Sequence, residues 1–233
     1  MAIAEGDVVL WYDLDEGTGN TLDNKEGTAS RDGTNSGCEW TTGGPTNLDD
    51  VLDFVFSNSD RVLLNNTLTE LITSAANDFS ISMWFKRDDS SGTQGLFGDW
   101  GSSPQRSIYL RHVSGTTLEF YISDGGTSSE IQLTQAYTST SFVHIVVTRT
   151  GNDTELIING SSVDTNTGSF TLPASTTDIT LGTMDAQIAQ VIFFNKAITV
   201  AEAQEIYNSG AGITYDGLFN PVAANTGAFF QLF

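Results

Sequence analysis

Carboxylates dominate the chemistry open to this sequence: 29 Asp and Glu face nine Lys and Arg, a formal charge of −20 over 233 residues. Cleaving a glycosidic bond needs two carboxylates flanking it, and a strand spaced Glu-x-Asp-x-Glu would set them on one face. That spacing is absent. Asp15-Glu16, Asp49-Asp50 and Asp88-Asp89 are adjacent pairs, which on a strand point to opposite faces and so suit solvated turns. There is no Gly-x-Ser-x-Gly elbow, no His-Glu-x-x-His helix and no phosphate-cradling glycine loop followed by Lys. His144 alternates with Phe142 and Val146, which predicts a packed, hydrogen-bonded core histidine before a catalytic base or metal ligand. His112 discriminates nothing. On these absences the chain is expected to be non-catalytic.

Binding chemistry is better represented. A sugar needs an aromatic ring against which its apolar face can stack, beside carboxylates and amides for its hydroxyls. Trp100 in Gly98-Asp-Trp-Gly-Ser-Ser-Pro104 and Trp40 in Gly37-Cys-Glu-Trp-Thr-Thr-Gly-Gly-Pro45 each sit in a glycine-rich segment expected to be a loop, with Asp99 adjacent to the first. Trp11 and Trp84 alternate with strand residues and are expected to be structural. A tryptophan folded onto the core as a lid is the competing expectation for Trp40 and Trp100. Calcium would require several oxygen ligands converging from loops, and Asp23-Asn24 and Asp32 are candidates, against a plain turn role for each Asp.

The charge excludes other partners. Nucleic acid binding needs Lys and Arg to replace counterions on the phosphates, and past Arg149 the one cation is Lys196. An anionic membrane surface is disfavoured by the same sign. Cys38 is the lone cysteine, so neither an intrachain disulfide nor a multi-cysteine zinc site can form. The start Met-Ala-Ile-Ala-Glu-Gly-Asp has no basic region and no apolar core, and no run reaches membrane-spanning length. Taken at face value, such a protein is kept in the cytoplasm that makes it or leaves by lysis inside a virus particle.

Short segments of alternating apolar and polar residues must position these groups. Val8 to Leu14, Val51–Phe56, Arg61–Leu64, Phe79–Phe85, Ser107–His112, Leu118–Ile122, Ile179–Gly182 and Gln187–Phe194 fit strands. Phe142–Thr148 is apolar on both faces, as a central strand would be. Glu155–Asn159, Gly160 and Ser161–Val163 predict a hairpin on an Asn-Gly type I′ turn. Thr199-Val-Ala-Glu202 is a capping box, opening a helix of about ten residues that should stop at Gly210 and lie flat on the rim. The segment 211–233 carries Phe219, Phe229, Phe230 and Phe233. An apolar tail of this kind should pack, either on its own sheet or against a neighbouring subunit.

The order of these segments from Val8 to Gly210 resembles the laminin-G-like or pentraxin-like branch of the concanavalin A-type jelly rolls. The parts are Leu10-Trp-Tyr-Asp-Leu-Asp-Glu-Gly-Thr-Gly19, Leu52-Asp-Phe54, Phe79-Ser-Ile-Ser-Met-Trp84, Phe142-Val-His-Ile-Val-Val-Thr148, Leu156-Ile-Ile-Asn-Gly160, Ile179-Thr-Leu-Gly182 and Ile188 to Ile198 leading into the helix. The resemblance implies an all-β, two-sheet antiparallel sandwich over residues 1–210, with strands near both chain ends side by side and a short helix after the last. It implies functions spread across glycan binding, adhesion, calcium-dependent recognition and particle assembly, among which a fold does not choose. It also implies a calcium ligand at Asp185, just after Leu181-Gly182, with Asp99 in the segment that would face it. The expectation is therefore a homo-oligomeric attachment component of a virion, most simply of a bacteriophage, binding a glycan or another surface protein. The alternative is an extracellular carbohydrate-binding module of a larger bacterial protein.

Overall fold

The computed structural model describes residues 3–72, 78–88, 92–99, 108–123, 131–169, 176–182 and 184–221. In chain order the strands are β1 (Val8–Tyr12), β2 (Thr21–Leu22), β3 (Gly33–Ser36), β4 (Glu39–Thr42), β5 (Asp50–Phe54), β6 (Arg61–Thr67), β7 (Phe79–Arg87), β8 (Thr93–Gly98), β9 (Ile108–Val113), β10 (Thr117–Ile122), β11 (Ile131–Ala136), β12 (Val143–Thr150), β13 (Asp153–Ile158), β14 (Ser161–Thr167), β15 (Asp178–Gly182) and β16 (Ala186–Phe194). The α-helices are α1 (Leu68–Leu71), α2 (Val200–Tyr207) and α3 (Tyr215–Phe219). One sheet runs β14-β13-β12-β7-β16-β5-β4, with β1 also on β16, and the other runs β11-β10-β9-β8-β15-β6-β3-β2. Every pairing is antiparallel. This is the all-β jelly-roll sandwich expected, with the strands nearest the two ends lying together as β1 and β16.

Alternation puts Phe79, Ile81, Met83 and Phe85 of β7 between the sheets, against Phe97, Leu110, Phe120, Ile145, Val147 and Phe193. Each such side chain contributes roughly 1.5–3 kcal/mol by leaving water. The first sheet also carries a second apolar layer on its outer face. Trp11, Val146, Ile157, Ile192 and Phe194 lie there under Ala203 and Ile206 of α2. That layer explains why the Phe142–Thr148 segment is apolar on both sides. It also moves the helix: α2 covers a sheet face and does not lie on the rim, because those five side chains need a cover of their own. Thr199 caps it, accepting from Glu202 N while Glu202 reaches back to Thr199 N. The β13–β14 turn has φ of 50° at Asn159 and 72° at Gly160, as a type I′ turn requires. A Cβ on Gly160 would meet Gln204 Cγ at 2.7 Å, and Gln204 Nε2 donates to Gly160 O at 2.9 Å.

Residues 211–220 return to their own domain. Tyr215 and Phe219 set their rings edge-on to Trp11 at 5.5 and 5.8 Å. Tyr215 N donates to Asp13 Oδ2 and its hydroxyl to Glu5 Oε1, while Gln190 Nε2 donates to Ile213 O. Phe219, expected at a subunit contact, is half-buried on its own chain because Trp11 offers it a ring. Phe229, Phe230 and Phe233 lie outside the described residues. Among those described, no helix is long and apolar enough to cross a membrane.

Candidate functional site

The expected glycan and metal residues are not brought together. Trp40 is not in a loop: it lies on β4 opposite Leu52, half-buried against the core, with Nε1 donating to Gly19 O at 2.9 Å. The flanking glycines obscured a short edge strand. Trp100 lies outside the described residues. Asp99 is buried, and its Oδ1 accepts from Ile108 N at 3.0 Å, so one oxygen closes the base of the β8–β9 connection. Asp185 accepts from Phe56 N at 2.8 Å through Oδ1 and from Gln94 Nε2 through Oδ2. Gln94 and Asp99 stand at opposite ends of β8, roughly 15 Å apart at strand rise. Asp99 therefore does not face Asp185, because the β8–β15 register pairs Gly98 with Thr180 and carries the chain after Gly182 toward the other end. Among the described residues no three His, Cys, Asp or Glu side chains are grouped to hold a metal ion.

The histidines are structural. His144 is fully buried, its Nε2 lies 2.7 Å from Ser82 Oγ, and its ring stacks on Tyr207 and packs at a tilt against Trp84. Burial drives its pKa down to about 3. His112, also buried, has its pKa lowered by desolvation, which the contact with Tyr137 O partly opposes. Asp13 is buried beneath the 211–220 segment and accepts from Trp11 Nε1, Gln190 Nε2 and Tyr215 N. Desolvation still raises its pKa. Burial pushes the Cys38 thiol up to about 12, which leaves it unreactive.

A cleft lies elsewhere, on the outer face of the first sheet where α2 no longer covers it. It measures about 580 Å³, within the usual range for small-ligand sites of roughly 300–1,000 Å³. Strand register builds its floor. Thr148, Glu155 and Thr165 form one cross-strand row over β12, β13 and β14, and Thr150, Asp153 and Thr167 form the next. Residues 197–199, between β16 and α2, and Val200 at the start of α2 make the wall. Ser80 fixes wall to floor: its Oγ accepts from Ile198 N and lies 2.9 Å from both Lys196 O and Thr148 Oγ1. Asp153 Oδ1 accepts from Thr167 Oγ1 at 2.7 Å.

Asp153 and Glu155 are two residues apart on β13 and so point the same way, roughly 7 Å apart. The sequence signal was there, but the strand seemed to begin at Glu155, and pairing with the threonines of β14 is a tertiary fact. Carboxylates accept hydrogen bonds from ligand hydroxyls, threonine hydroxyls donate and accept, and threonine methyls with Val200 supply apolar surface. One aromatic is also presented to solvent: Phe56, 52% exposed, on a turn held through its own N–H by Asp185.

The family model for the concanavalin A-like lectin/glucanases superfamily matches residues 56–204. No curated protein matches the sequence. Among solved structures, the botulinum neurotoxin serotype D binding domain aligns with a TM-score of 0.68 at 14% identity, over 88% of this chain and 52% of that one. The binding domain of neurotoxin DC in complex with rat synaptotagmin II aligns at 0.69 and 14% over the same shares. So does a structure from work on type C neurotoxin, whose cell entry depends on two ganglioside molecules, at 0.69 and 15%. This chain spans about half the length of these structures, and identities so low speak for the fold alone.

Proposed function

The chain belongs to the concanavalin A-like lectin/glucanases superfamily, and we propose that it is a non-catalytic attachment module that binds a glycan in the cleft between β14 and the start of α2. The cleft itself carries this reading. Its rows of threonine hydroxyls and carboxylates on a rigid sheet, walled by residues 197–200, offer what a polyhydroxylated ligand needs, and sheet-mounted side chains pay little ordering cost on binding. The neurotoxin domains with this fold, one studied with gangliosides and one solved with synaptotagmin II, support recognition of a surface ligand as its use. The setting we propose is the outside of a particle, as a decoration, fibre or tail-associated component of a bacteriophage. A charge of −20 supports it by keeping a displayed protein soluble. A bacterial cell-surface or secreted module is the other setting, and the genes flanking this one discriminate the two.

A glycan array probed with the parent chain and with Glu155→Ala, Thr165→Val and Trp100→Ala tests the site. Binding by the parent that falls at least tenfold in the first two variants is expected. Loss in Trp100→Ala alone would move the site away from the cleft, and a parent that binds no glycan would remove the reading. Asp153 and Glu155 also supply the test of the non-catalytic part: reducing sugar released by the parent and not by Asp153→Asn or Glu155→Gln would make them an acid/base pair.

A further inference from the structure

We infer that the cleft selects uncharged and amino sugars and rejects acidic ones, an inference that rests on the cleft being the glycan site. Both ionisable side chains on its floor are carboxylates, and no lining residue is Lys or Arg. Glu155 is partly exposed and its side chain stands on the cleft floor, so its carboxylate can be reached by a ligand. The nearest cations in sequence lie outside the lining, and the one that offsets a floor carboxylate, Arg149 against Asp153, does so from within the sheet. Arg149 is buried toward the opposite side of the sheet, donating to Thr154 Oγ1 and Gly168 O. Lys196 pairs with Asp7 at 3.1 Å and Glu202 at 2.9 Å.

A ligand carboxylate or sulfate seated over the two rows would therefore meet two like charges and no cation in the lining, whereas an ammonium would meet two acceptors of opposite sign. The field of the whole molecule adds to this. With 29 acidic groups against nine basic ones, an anionic glycan is repelled before it arrives and a cationic one is drawn in. A neutral sugar is indifferent to that field and uses the hydroxyl and methyl groups of Thr150, Thr165 and Thr167.

Calorimetric titration of the full chain with three oligosaccharides of equal length tests the inference: one of glucosamine, one of N-acetylglucosamine and one of a uronic acid. The glucosamine oligomer should bind at least tenfold tighter than the uronate, with the N-acetylated form between them. Raising the salt from 20 to about 300 mM should shrink the gap, as screening shortens to less than a cleft's width. Asp153→Asn and Glu155→Gln each remove one charge while keeping the side chain's shape, so each should narrow the gap between the glucosamine and uronate oligomers. A uronate bound as tightly as the amine overturns the charge selection and leaves the glycan reading intact. Failure of all three to bind overturns the inference together with the reading beneath it.

Discussion

Burial holds the His144 imidazole at about 3, well below the roughly 6.5 it has in an unfolded chain. Above both values the ring is neutral in either state and adds no pH dependence. As the pH falls below about 6.5 the unfolded chain takes a proton that the folded one refuses, so stability is lost progressively down to about 3. Urea unfolding between pH 7 and pH 4 should show this as a decline of up to a few kcal/mol. His144→Gln should be less stable at pH 7, since Ser82 loses its partner, yet flatter toward acid; a variant with the parent's slope would assign the decline to other groups. His144 was legible in the sequence because its two-residue period with Phe142 and Val146 tells its burial directly. The cleft was not: Asp153 is a site residue only because β14 sets Thr167 beside it, and no local pattern announces a pairing partner. Trp40 misled for a related reason, since Gly37, Gly43 and Gly44 around a short edge strand look the same as a loop.

Among the elements, β7 does the most to hold the sandwich together. It lies between β12 and β16, buries side chains on both faces and ends in Arg87. That guanidinium is buried and donates to Ser139 O, Thr138 O and Gly115 O, which ties β7 to the β9–β10 turn and the β11–β12 connection. Arg87→Met fills much of the same space but leaves three carbonyls without that donor. A loss of about 2–4 kcal/mol in urea unfolding is expected, and a loss below 0.5 kcal/mol would mean that water serves those carbonyls as well. The long alternating strands, the Asn-Gly turn and the capping box of α2 were readable because each is a local pattern with one physical cause. Strands β2, β3, β4, β8 and β11 were not: Gly33-Thr-Asn-Ser36 and Thr93-Gln-Gly-Leu-Phe-Gly98 carry too few apolar residues to alternate, and they become strands only because β6, β9 and β15 offer them partners.

For the molecule as a whole, the described domain does not finish at the end of α2. Removing everything after Gly210 strips Tyr215 and Phe219 from Trp11 and takes one hydrogen-bond partner each from Asp13 and Gln190. That truncation should cost several kcal/mol, on the order of 1.5–3 for each buried ring, whereas a cut after Pro221 retains all of these contacts. Light scattering on the full chain and on the Pro221 truncation then tests assembly cleanly. An oligomer lost only on truncation would put Phe229, Phe230 and Phe233 at a subunit interface, and a monomeric full chain would end that expectation. The pairing of β1 with β16 has a mechanical side as well. Val8 opposes Phe194, and further toward the two ends Glu5 takes the hydroxyl of Tyr215. A pull between residues 3 and 221 would thus open the β1–β16 seam like a zipper, one hydrogen bond at a time, where a pull along opposed strand ends would load the bonds together. Tethered by both of these points, the module would yield at low tension; tethered at residue 221 alone and gripped at its cleft, it would leave that seam unstressed, because β1 joins the sheet through β16 and would carry no load.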